Sequence, residues 1–180
     1  MPFKAITAAG STVTARDDAI LHMSLFGAGA CILNAGSQLE ASVQSANKIR
    51  ISDGVLMFQG HFGRIEKDDY EDIELDNGKT GETRTDLIVA HFEISGGEES
   101  FTLRAIKGAT GGAVPAHEEG DLYAGDDVAE IPVFRVEING LAISKVTKLL
   151  PVRVGGNIFA GTTEPPSSLG EDGDIYIKYS

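Results

Sequence analysis

Hydrophobic and polar positions alternate along most of the chain, and only one stretch breaks to helical spacing. That stretch is "RDDAILHMSLFG", where Leu21 and Leu25 lie four apart on one face, flanked by Ile20 and Met23. Asp17 or Asp18 offers an N-cap carboxylate at the positive end of the dipole, and Gly27 supplies the stop. The pattern predicts a helix near 17–26, too short to stand alone, which must dock on something.

The rest reads as strands. In "NKIRISDGVLMFQG", Ile49 and Ile51 alternate with Lys48 and Arg50, and Asp53-Gly54 reads as a type I′ turn, with Val55 to Gln59 returning. "YEDIELDNG" places Ile73 and Leu75 on one face before an Asn77-Gly78 turn. "DLIVAHFEI" (86–94) is apolar on both faces and predicts a central strand. Gly96-Gly97 then turns it into "SFTLRAI" (100–106), where Phe101, Leu103 and Ala105 alternate with Thr102 and Arg104. Residues 107–127 carry glycine, proline and acids without periodicity, as a long surface loop does. "EIPVFRVEING" sets Phe134, Val136 and Ile138 on one face, with Pro132 near its start, where a missing N–H is tolerated. "LAISKVTKLL" fits either a strand or a short helix.

Beyond residue 150 the texture changes to Gly, Pro, Ser and Thr, the composition of a linker or extended arm. It closes on "DIYIKYS", where Ile175, Ile177 and Tyr179 alternate with Tyr176 and Lys178. Such an amphipathic end-strand needs a sheet edge to join, in this chain or a neighbouring subunit. The expected fold is therefore mainly β: an antiparallel sandwich or barrel-like core over 1–150 with one short N-terminal helix, followed by an extended arm over 151–180 ending in a strand.

With 180 residues and 42% apolar content, the chain can bury a core without staples. Its net charge of −12 argues against nucleic acid and against an anionic membrane surface. No apolar run approaches the ~20 residues of a membrane span, and the N-terminus has no signal-peptide h-region. The single cysteine, Cys31, reads as a core residue and excludes an intrachain disulfide.

Chemistry is sparse. His22, His61, His91 and His117 match no metal-ligand spacing, and there is no nucleophile elbow, P-loop or dinucleotide fingerprint. Carboxylates cluster in "EKDDYEDIE" (66–74), but no tryptophan walls a sugar cleft. In "GEDGD" the acids Glu171, Asp172 and Asp174 miss the ligand spacing of a calcium loop, and Asp172-Gly173 reads as a turn. No catalytic, metal or cofactor site is expected, and no enzyme. The exposed bend "QGHFGR", with His61, Phe62 and Arg64, and the 107–127 loop, with His117 and Tyr123, are the candidate surface for a receptor.

As an ordered set, "DDAILHMSLFGAG", "NKIRISDGVLMFQGHFGRI", "RTDLIVAHFE", "GDLYAGDDVAEIPVFRVEINGL" and "GTTEPPSSLGEDGDIYIKYS" resemble tail-tip proteins of siphophages and prophages of Gram-positive bacteria. The resemblance spans about residue 12 to 180 and holds no catalytic motif. It implies a non-enzymatic virion component of the baseplate or tail fibre, made in the host cytoplasm. Such a protein forms homo-oligomers, often trimers, and binds other tail proteins. Ile175, Tyr176, Ile177 and Tyr179 are then the candidate subunit-pairing strand. The alternative is a module that binds a receptor or cell-wall carbohydrate during host attachment.

Overall fold

The computed structural model describes residues 10, 12–153, 158–170 and 174–180. One helix, α1 (Ala15–Phe26), precedes the strands β1 (Cys31–Leu33), β2 (Ala41–Val43), β3 (Lys48–Phe58), β4 (His61–Glu74), β5 (Thr83–Ser95) and β6 (Glu98–Ile106). After the long loop come β7 (Val128–Asn139), β8 (Ala142–Lys148), β9 (Val152–Arg153), β10 (Ile158–Gly161) and β11 (Ile175–Lys178). The fold is mainly β, as the alternation predicts. "LAISKVTKLL" resolves to a strand.

Two curled sheets enclose the core. In the first, β3 pairs with β4 along one edge and with β2 and then β1 along the other, and β9 adds in parallel to β1. Its final strand draws the core sheet slightly into the segment read as an arm. The second sheet runs β6-β5-β7-β8, all antiparallel. β4 lies beside β6 and β2 beside β8, so the sheets face each other as two half-barrels. The period-2 pattern places Ile49 and Ile51 of β3 and Phe134, Val136 and Ile138 of β7 in one buried cluster with Ile88, Ala90 and Phe92 of β5. β5 is central and buried on both faces, because the loop after β6 crosses its outer side.

The Asp53-Gly54 turn is corrected. β3 runs straight through it, and the hairpin turns at Gln59 (φ 46°) and Gly60 (φ 80°) instead, with Phe58 paired to His61. Two successive positive φ angles suit the twist of a tight hairpin. Asp53 is buried and marks a break in register, where Ser52 pairs with Tyr70 but Gly54 with Ile65. Residues 66–69 bulge out opposite it. The preceding loop packs over this break: Leu39 N–H donates to the Asp53 carbonyl at 3.1 Å and Ser37 N–H to its carboxylate at 3.2 Å. A Cβ at Gly54 would lie 2.5 Å from the Leu39 nitrogen, so glycine is there for close approach.

The helix is also corrected in its details. Thr14, not an aspartate, is the N-cap. Asp17 N–H donates to its hydroxyl at 3.2 Å, and Thr14 N–H donates back to the Asp17 carboxylate at 3.1 Å, a reciprocal capping box. The leucine face does not dock. Leu21 and Leu25 are 54% and 65% exposed, while Ala19 is the buried helix residue.

Candidate functional site

α1 sits as a lid on the β3–β4 turn. Ala19 meets Gly60, and His22 Nδ1–H donates to the Gly60 carbonyl at 3.1 Å. The Phe62 ring stands edge-on to His22 at 4.8 Å and to Phe26 at 6.4 Å. Arg153, just past the core, lies over the Phe26 ring at 5.4 Å and donates to the Phe26 carbonyl at 2.7 Å. The loop before β7 is clamped to the same turn: Gln59 donates to the Gly120 carbonyl at 2.7 Å and accepts from Leu122 N–H at 2.8 Å. Arg16 reaches the Tyr123 carbonyl at 3.0 Å.

This framework places the five proposed receptor residues. His61 does not project from a free bend. It is half-buried against Phe92, ring centres 4.2 Å apart, and burial holds its pKa below the ordinary histidine value. Phe62 and Tyr123 are exposed on either side of the α1 lid, and Arg64 pairs with Glu66. His117 lies elsewhere, in a depression with Val114, Pro132 and Leu149 over the second sheet. The sequence groups them by their setting in bends and loops, whereas the strands carry them to separate places.

The long loop is irregular, as read, but strapped down. Gly108 N–H donates to Asp86 at 2.9 Å, Thr85 donates to the Gly112 carbonyl at 2.9 Å, and Glu118 N–H donates to Glu130 at 2.8 Å. Glu130 is buried and also meets His91 Nδ1 at 3.1 Å and Arg104 Nε at 2.8 Å. His91 Nε2 faces Glu93 at 3.3 Å. The cluster has the ingredients of acid–base chemistry, but its members are spent on one another, and the loop bonds directly to Glu130. Among the described residues, no group of three or more His, Cys, Asp or Glu is placed to hold a metal ion.

The two seams between the half-barrels differ, which sequence reasoning misses. At β2–β8, Ile143 N–H donates to the Ala46 carbonyl at 3.1 Å, and Lys148 Nζ bridges the Gln38 carbonyl and Glu40 at 2.9 and 2.8 Å. At β4–β6, among the described residues, no hydrogen bond or ion pair joins the strands. A small cleft of about 60 Å³ opens there, lined by Leu56, Ile65, Ala90, Phe101 and Leu103, with Glu71 at its wall. Burial raises the Glu71 pKa above the ordinary glutamate value. Glu71 shares the inward register of Ile73, so a strand-face count marks it as out of place.

The terminal arm forms its own two-stranded sheet. β10 and β11 pair in parallel from Ile158↔Ile175 to Gly161↔Lys178, Tyr179 N–H donates to the Gly161 carbonyl at 3.0 Å, and Tyr176 Oη donates to the Thr163 carbonyl at 2.9 Å. Ile175, Ile177 and Tyr179 are 57%, 52% and 57% exposed. The Asp172-Gly173 turn lies outside the described residues. No helix of the described chain is long and apolar enough to cross a membrane. Compared with protein-family models and with curated proteins, the chain matches none.

Proposed function

We propose that this chain is a non-enzymatic structural component of a phage tail tip, in the baseplate or a tail fibre, and that it works as a homo-oligomer, with a trimer the favoured form. The observation that carries the oligomeric part is the arm. An isolated pair of strands is marginal in water, and a parallel pair is the weaker kind. Here that pair leaves three large apolar side chains of β11 and its flank exposed. Covering them is the work of a partner surface, and a tail structure supplies one through repeated subunits. The ordered blocks of residues 12–180 support the tail-tip assignment, and the β-rich core suits a load-bearing part.

Size-exclusion chromatography with light scattering tests the assembly at micromolar chain concentration. An oligomer is expected, and deletion of residues 161–180 should weaken it while the core stays folded. A strict monomer counts against the reading.

A further inference from the structure

We infer that the open β4–β6 seam accepts the C-terminal strand of a second copy of this chain: β11 adds along the free edge of β6 and lays Ile175 and Ile177 over the apolar cleft. The inference rests on the proposed oligomer and names the edge that the terminal strand joins.

Three observations converge. β6 pairs with β5 on one edge, and among the described residues its other edge has no ladder, so its outward N–H and C=O groups offer a template. The cleft beside that edge is walled by Phe101 and Leu103, alternate residues of β6, while Thr102 between them and Ser100 before them are exposed. β11 carries the matching alternation, Ile175 and Ile177 on one side, Tyr176 and Lys178 on the other. An added strand in that phase covers the cleft with its isoleucines.

Charge favours the same occupant. The cleft is lined by both Glu71 and Arg64, and the two strands beside it carry Glu66, Asp68, Asp69, Glu98 and Glu99 against Lys67 and Arg104. The Glu71 carboxylate has no hydrogen-bond partner among the described residues, while Glu66 pairs with Arg64. Lys178, which pairs with Glu164 within its own chain, brings a cation to this mainly acidic margin. Among the described residues β11 pairs with β10 alone, which leaves its second edge for the neighbour.

Disulfide trapping between full-length chains tests the contact. One population carries Ser180→Cys, in the phase of Tyr176 and Lys178, and the other carries Ser100→Cys or Thr102→Cys on β6. Ser144→Cys on exposed β8 is the control acceptor. Cys31 is buried, and burial raises its thiol pKa, so it stays out of the exchange. Docked thiols sit at an effective concentration near millimolar, so crosslinked dimer from a β6 acceptor should form at least ~10-fold faster than from the control at micromolar chain. An assembled protein whose β6 acceptors trap no faster than the control overturns the seam and leaves the oligomer standing. A chain that light scattering finds monomeric overturns both.

Discussion

A Cβ placed on Gly60 would lie 2.0 Å from the carbonyl oxygen of Ala19. The helix rests on the hairpin turn with no room for a single methyl group, and its only buried residue among those described is the alanine at that point. Gly60 also holds φ at 80°, a left-handed value that costs an L side chain about 1 kcal/mol. Gly60→Ala combines both penalties. It should destabilise the fold by ~2–3 kcal/mol and unseat α1. Urea denaturation measures the first. Trypsin cleavage after Arg16 reads the second, and it should speed up several-fold relative to cleavage in the core. An unchanged cleavage rate would mean that the turn does not hold the helix.

The contrasting substitution is on the leucine face. Leu21→Gln and Leu25→Gln remove side chains that stand more than half exposed in the chain, so each should change stability by less than ~0.5 kcal/mol in a truncated, monomeric chain. Losses of 2 kcal/mol or more in thermal or urea melts would show that this face is buried after all.

Strand faces were legible because their signal is local. Ile49 and Ile51, or Phe134, Val136 and Ile138, alternate with polar neighbours whatever they later meet. Helix docking was not, because Leu21 and Leu25 have the right spacing, while the decision lies with Gly60, forty residues away, which admits only Ala19. Asp53-Gly54 misled for a related reason. The dipeptide favours turns, yet here it fills a register break under the Ser37–Leu39 loop, and the positive-φ pair is Gln59-Gly60. The β4–β6 cleft leaves no sequence mark except Glu71, since a seam is made of what two distant strands fail to share.

The buried Glu130 predicts a pH dependence. Burial by itself pushes its pKa up, but the Glu118 N–H, the Arg104 guanidinium and His91 outweigh that and hold it below the ordinary glutamate value. A carboxyl with a depressed folded pKa contributes stability that is fully present above its unfolded pKa, near 4.3, and lost as pH falls through the folded one. Stability should therefore decline below about pH 5. Glu130→Gln should cost ~1.5–3 kcal/mol at neutral pH and flatten that part of the decline. Urea midpoints measured from pH 3 to 7 test it, and parallel curves for the two proteins would rule the group out as a contributor.

Arg84 and Asp86 form a buried ion pair, and here geometry decides the outcome. Arg84 Nε and Nη2 meet the two Asp86 oxygens at 2.8 and 2.9 Å, and the same guanidinium donates to the Asp76 and Asn77 carbonyls at 2.6 and 3.3 Å. Asp86 also accepts from Gly108 N–H, so the pair ties the start of the long loop to β5. A lysine at 84 keeps the charge but not the planar fork, and cannot reach all four acceptors. Arg84→Lys should cost ~2–3 kcal/mol and speed hydrogen exchange at the Gly108 amide. Asp86→Leu alone leaves a buried guanidinium without its counter-charge and should cost ~3–5 kcal/mol. Because most of that loss is the stranded charge, the double variant Arg84→Met/Asp86→Leu should be less destabilised than Asp86→Leu alone. A double-mutant cycle by urea denaturation measures the coupling. Additive losses would show that the two side chains act independently, and that the loop is held by its backbone contacts.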